Sequence, residues 1–186
     1  MAKTMKRISA ISLLLTICFF ILYRITNYRF LFPFIITFGT TAYHFMIRLT
    51  VGVVLNSVMH NRANYRKKWY QVSEFEMKIY QKIKVKKWKS KMPTFDADVF
   101  DISKHSWDEI VQATCQSELV HEIDVIFSFL PVAASVWFGS FWVFLITSAL
   151  GAVFDLMFVM MQRFNRLRIM KMKRRRSVPI CGAAND

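Results

Sequence analysis

Four apolar blocks separated by charged stretches restrict this chain more than any other feature of its 186 residues. At 54% hydrophobic and with 18 Phe it has enough apolar mass for a soluble core, but that mass is not dispersed. It lies in runs long enough to cross a bilayer core of about 30 Å. Four short segments cannot close a barrel, and open strands would leave backbone polar groups unpaired in lipid, so the spans are helical. The expected fold is an all-α integral membrane protein of one domain, 1–186, with about four transmembrane helices. A basic amphipathic interfacial segment and a cytoplasmic helix leading into the third span complete it.

The spans are expected at about 8–23, 32–59, 123–138 and 141–161. The region 61–122 is interfacial or cytoplasmic, and 162–186 forms a basic tail. Lys3, Lys6 and Arg7 before the run from Ile8 to Tyr23 imitate a signal peptide. No small-residue cleavage site follows, so this is read as a retained first span. Thirty helical residues from Phe30 to Met59 would measure about 45 Å, so that helix must tilt, kink or emerge from the lipid. Pro33 marks the turn that precedes it. Ser106-Trp107-Asp108-Glu109 reads as a capping box opening a helix that runs through His121 toward Leu130. Gly139-Ser140 then turns the chain into the last span, making a helical hairpin.

Charge is as uneven as hydrophobicity. Of a formal +14, the segment Asn61–Lys91 carries 11 Lys and Arg against Glu74 and Glu76, a net of +9. Gln162–Asp186 carries eight against Asp186, a net of +7. Short basic flanks stay in the cytoplasm, which puts both termini and the 61–91 segment there, in a membrane crossed several times. Trp69, Tyr70, Phe75, Tyr80 and Trp88 alternate with the lysines of that segment. Such a pattern places rings at headgroup depth and ammonium groups in water. The implied partners are membrane lipids, anionic headgroups or a phosphorylated co-substrate; with basic runs abutting apolar spans, nucleic acid is not expected.

Cys18, Cys115 and Cys181 form no CxxC pair, so neither a disulfide framework nor a zinc site is expected, and no metal ligand set is assigned. With only 5 glycines there is no Gly-rich nucleotide loop and no bound cofactor is expected.

Two ionisable pairs lie at helical spacing. Glu118 and His121 share a helix face, where Glu118 can orient the imidazole and leave its second nitrogen as a base. That arrangement deprotonates a hydroxyl for attack on a thioester. His121-Glu122-Ile123-Asp124 is two residues too short for the His-and-Asp signature of other lipid acyltransferases. His44 and Arg48 form an i, i+4 pair inside an apolar block, where ionisable groups face a bundle interior, and Asp155 is a partner for Arg48. Lys87 and Lys89 flank Trp88 in a cluster suited to phosphates and to stacking or interfacial anchoring. Arg163, Asn165, Arg166 and Arg168 close the last span with a set suited to phosphate or carboxylate.

K-x-K-K-W-K-x-K-M-P, a Phe/Asp-rich loop, E-L-V-H, an apolar stretch with L-P, and Q-R-F-N-R-x-R follow one another over Tyr80–Arg168. In that order they resemble the glycosyl-4,4'-diaponeurosporenoate acyltransferase family, small bacterial membrane enzymes that place a fatty acyl chain on a sugar hydroxyl in staphyloxanthin-type carotenoid synthesis. The likeness rests on Trp88, Pro93, Glu118, His121, Pro131, Gln162, Arg163, Asn165, Arg166 and Arg168. It implies a membrane-embedded O-acyltransferase with catalytic His121 and Glu118. The donor would be acyl-CoA or another acyl thioester, and the acceptor a lipid or glycolipid of glycosyl-carotenoid type. The competing readings are a non-enzymatic scaffold that binds anionic lipids beside another membrane enzyme, and a methyltransferase or reductase acting on lipid.

Overall fold

The structure is a computed structural model that describes residues 2–93 and 98–177. Phe95 and Asp96 of the expected acidic loop, and Cys181 with the end of the tail, lie outside the described residues. The described residues are helical, with no strand among them. The long helices are α1 (Ala2–Thr26), α2 (Phe32–Met59), α5 (Trp107–Phe127) and α7 (Phe141–Ser177). Between them lie the shorter α3 (Glu74–Lys82), α4 (Val85–Trp88) and α6 (Leu130–Phe138). Four stretches are long and apolar enough to cross a membrane: Lys3–Thr26, Arg29–Met59, Trp107–Phe138 and Phe141–Arg175. Helix therefore continues well beyond the apolar runs, and the helical stretch that holds the third expected span starts at the capped helix. Charged turns extend a helix because each added residue gains a backbone bond once the helix is nucleated.

Local chemistry sets the ends. Pro33 occupies the first turn of α2, where its missing N–H costs nothing. His60 caps the other end in the left-handed region at φ 49°. Ser73 and Ser106 each accept a bond from the third residue of the following helix while Glu76 and Glu109 reach back, closing capping boxes on α3 and α5. Gly139 at φ 67° and Ser140 at φ 54° make the tight turn into α7.

The bundle is inverted relative to a soluble protein. Leu14, Ile21, Val53, Val136, Trp137 and Leu150 lie exposed, whereas Glu118, Asp155, Ser128 and Ser148 are fully buried. This is the distribution that surrounding hydrocarbon stabilises. α1 packs along α2, with Phe19 stacked on Phe34 and Phe38 at 5.2 and 5.6 Å. Small residues let the two approach: Ser9 and Ser12 are buried on α1, and Gly39 faces the methyl of Thr16. α5 lies along α7, and α2 bridges onto both.

Candidate functional site

The hairpin turn at 139–140 fixes which residues of α5 and α7 meet. Two antiparallel helices of equal rise place partners whose numbers sum to about 280 at the same level. Gln162 donates to Ser117, Arg163 to Glu118, His121 stacks on Phe158, and Lys173 reaches Asp108. Every pair obeys that register. It assembles two polar layers, one built on Glu118 and the other on Asp155.

In the first layer Glu118 has no exposed surface, and both of its oxygens are taken by α7. Arg163 Nε donates to Oε1 at 2.7 Å and Arg166 Nη1 donates to Oε2. Both arginines engage further partners. Arg163 Nη1 reaches Glu76 Oε1 at 2.5 Å and Nη2 the Trp69 carbonyl at 2.8 Å. Arg166 Nη2 reaches the Tyr70 carbonyl at 2.6 Å and its guanidinium lies over the Tyr70 ring. Arg163 and Arg166 thus tie α3 and the 69–70 turn to α5, so of the phosphate or carboxylate their pattern suits, it is the chain's own Glu118 carboxylate that they hold. Around them, burial pushes the Tyr80 phenol up to about 12. Burial also raises the Glu76 carboxyl, but the Ser73 backbone N–H and the Arg163 charge outweigh it and hold the group below its ordinary 4.5.

His121 belongs to the second layer. Its Nδ1 lies 3.1 Å from Asp155 Oδ1, and its ring stacks on Phe158 at 4.4 Å and 7°. The expected Glu118–His121 hydrogen bond is therefore not formed. A buried carboxylate flanked by two guanidiniums gains far more from charge-assisted, forked bonds than from one imidazole a turn away. Asp155, itself fully buried, orients the imidazole instead. Arg48 holds Asp155 from α2, with Nη2 at 2.5 Å from Oδ2 and Nε at 3.4 Å from Oδ1, which is the partnership expected for Arg48. Its other bonds go to the His44 carbonyl at 2.7 Å, the Gly151 carbonyl at 3.2 Å and Ser128 Oγ at 3.4 Å. A Cβ at Gly151 would stand 3.0 Å from Arg48 Nη2, so glycine makes room for the guanidinium.

His44 and Arg48, His121, Asp124 and Ser128, and Ser148 and Asp155 thus form a polar seam where three helices meet. Neither ring nitrogen of His44 and neither oxygen of Asp124 has a hydrogen-bond partner among the described residues. His121, Asp124 and Asp155 each offer a ligand atom within 4.8 Å of the others, a spacing that could hold a cation, although Asp155 is already paired with Arg48. His121 keeps one-fifth of its side chain exposed, and no described residue bonds its Nε2.

The lysine cluster lies against α7 beside the first layer, at Phe164 and Asn165. Lys89 Nζ donates to Asn165 Oδ1 at 2.5 Å and sits over the Phe164 ring, while the Trp88 indole donates to the Ile83 carbonyl. Burial, then the charges of Arg168 and Lys86, lower the Lys89 ammonium from its ordinary value. Lys87 and Arg168 are exposed. Of the residues expected to bind substrate, Lys87, Trp88, Lys89, Asn165 and Arg168 are gathered here, and His44 and Arg48 are gathered in the seam. Asp155 as the imidazole's partner was missed, although the turn at 139–140 places residue 121 opposite 158, one turn from it.

Residues 66–175 match the family model described as glycosyl-4,4'-diaponeurosporenoate acyltransferase. Comparison with curated proteins and with solved structures found no match. The matched region contains the Glu118 layer, the lysine cluster and the α5 and α7 residues of the Asp155 layer, but not α1 or α2, which carries His44 and Arg48.

Proposed function

The chain belongs to the glycosyl-4,4'-diaponeurosporenoate acyltransferase family, whose members are acyltransferases of carotenoid biosynthesis, and from that premise we propose that it works as a membrane-embedded O-acyltransferase with His121 as its base. The observation that carries this reading is the pairing of His121 Nδ1 with a buried Asp155 that Arg48 holds in place. A carboxylate on Nδ1 fixes the tautomer, leaves Nε2 basic and stabilises the imidazolium once it forms.

In the reaction, a hydroxyl of a lipid or glycolipid acceptor gives its proton to His121 Nε2 while its oxygen attacks the carbonyl of an acyl thioester such as acyl-CoA. A C–O bond forms and the C–S bond breaks. His121 then returns the proton to the departing thiolate. Lys87, Lys89 and Arg168 attract the donor's phosphates: burial, and then the charges of Arg168 and Lys86, disfavour the Lys89 ammonium until an anion sits beside it. Trp88 anchors this cluster at the interface.

The basic flanks of the apolar helices support a reaction at the cytoplasmic face, with both termini on that side. Incubation of the purified protein with labelled acyl-CoA and a total lipid extract tests the reading by mass spectrometry of the product. Wild type is expected to yield an O-acylated lipid and a folded His121→Ala variant none. Full transfer by that variant removes the mechanism.

A further inference from the structure

Pro131 carries part of the family likeness, yet acyl transfer at His121 gives it no role. Proline lacks an N–H, so the Phe127 carbonyl four residues earlier loses its helical partner. Helix α5 ends at Phe127 and α6 resumes at Leu130. The Tyr43 hydroxyl, arriving from α2, donates to the orphaned carbonyl at 2.9 Å. The break leaves a cavity of about 420 Å³ between α1, α2, α6 and α7, a volume typical of ligand sites.

The cavity walls include Ile36, Gly39, Tyr43, Pro131, Ala134 and Phe144. Three hydroxyls also face it, and backbone carbonyls engage them all. Thr16 donates to Ser12, Thr40 to Ile36, and Tyr43 to Phe127. Each of these hydroxyls has spent its proton on the backbone, so the chemistry of the walls selects hydrocarbon.

A line of contacts joins this cavity to the base. The Tyr43 ring lies edge-on to His44 at 5.6 Å, the His44 carbonyl accepts from Arg48, and Arg48 holds the Asp155 that holds His121. Along the helices Leu130 lies nine residues past His121, about 14 Å. A long flexible acyl chain with its carbonyl at His121 spans that interval and ends in the cavity, whereas a medium chain stops short. Resting on the acyl-transfer reading above, we propose that the cavity behind Pro131 receives the end of the donor's fatty acyl chain and sets the chain length accepted.

Gly39 offers a direct test, because a Cβ there meets Thr16 only at an ordinary 3.6 Å and a larger side chain extends into the cavity. The full-length protein in phosphatidylglycerol nanodiscs is assayed with acyl-CoAs from decanoyl to octadecanoyl, as wild type, Gly39→Leu and Ala134→Phe. Hexadecanoyl and octadecanoyl transfer is expected to fall about tenfold or more, the scale of a misfit in an apolar pocket, while decanoyl transfer stays near wild type. An unchanged length profile, or an equal loss at every length, overturns the proposal.

A second measurement does not need turnover. An acyl-CoA carrying a terminal diazirine is expected to label Ile36, Ala134 or Phe144 in wild type and in His121→Ala, and to lose that label in Gly39→Leu. Labelling that a photoreactive phospholipid reproduces and that excess acyl-CoA does not displace assigns the cavity to bulk lipid and overturns the proposal. Cavity labelling without product separates a failed base assignment from a failed chain pocket.

Discussion

His121 and Asp155 stand 34 positions apart in the chain, and their side chains meet at 3.1 Å because the turn at Gly139-Ser140 folds α7 back along α5. The contact joins a partly exposed imidazole to a buried carboxylate that a third helix neutralises through Arg48. One edge of the imidazole is thereby fixed by the protein, and the Nε2 edge is left to chemistry.

Asp155→Asn tests positioning, with kcat read per folded enzyme because the change also breaks the Arg48–Asp155 pair from one side. Asparagine keeps the shape and an acceptor for Arg48 but loses the charge that stabilises an imidazolium. Measured kcat is expected to fall about 10²-fold or more, with a smaller change in KM. Wild-type kcat in the Asp155→Asn variant would show that His121 does not use this carboxylate as a base would.

Glu118→Gln has the opposite signature. Glutamine leaves Arg163 and Arg166 buried beside a neutral amide, and breaking a buried ion pair from one side costs about 3–5 kcal/mol. Thermal unfolding in detergent should show a much lower Tm and a loosened 69–82 region, seen as faster amide exchange. Loss of kcat at unchanged Tm would instead return Glu118 to a role beside His121.

The apolar blocks, the capping box at Ser106 and the turn at Gly139-Ser140 are local in sequence, and the helices that follow from them were legible there. The Arg48–Asp155 pair was legible as well, since an intramembrane cation demands an anion and Asp155 lies in another span. The choice of partner for His121 was not. Helical spacing offered Glu118 at i−3, but spacing says nothing of competitors on a neighbouring helix. Two arginines of α7 bind Glu118 more strongly than one imidazole could. Pairing the spans outward from the turn, before assigning hydrogen bonds along α5, leads to Asp155. The orphaned carbonyl at Phe127 was implicit in Pro131, whereas its partner Tyr43 required knowing that α2 lies against α5.

The Glu76–Arg163 pair gives the fold a pH dependence. Although burial raises the Glu76 carboxyl, the Ser73 backbone and Arg163 hold it below 4.5 in the folded state. A group depressed on folding contributes stability that is fully present above its unfolded value and is lost as pH falls through its folded one. Tm is therefore expected to be flat from pH 7 to about 5 and to decline below it, and Glu76→Gln to lower the plateau and flatten the decline. An equal acid slope in both proteins would place the titrating group elsewhere.

Tyr43→Phe removes the donor that reaches the Phe127 carbonyl, leaving a backbone acceptor without a partner inside an apolar bundle, at a cost of about 1–3 kcal/mol. Pro131→Ala supplies the missing N–H and allows α5 and α6 to join, so the carbonyl no longer needs the tyrosine. In the Pro131→Ala background, Tyr43→Phe is expected to cost much less than in wild type, a coupling that thermal unfolding of the four proteins measures. Closing the break also narrows the cavity behind it, and Pro131→Ala should reduce long-chain labelling even where stability is regained. Additive losses in the four proteins would mean that the Tyr43 hydroxyl does not stand in for the proline's absent donor, and that the break has another cause.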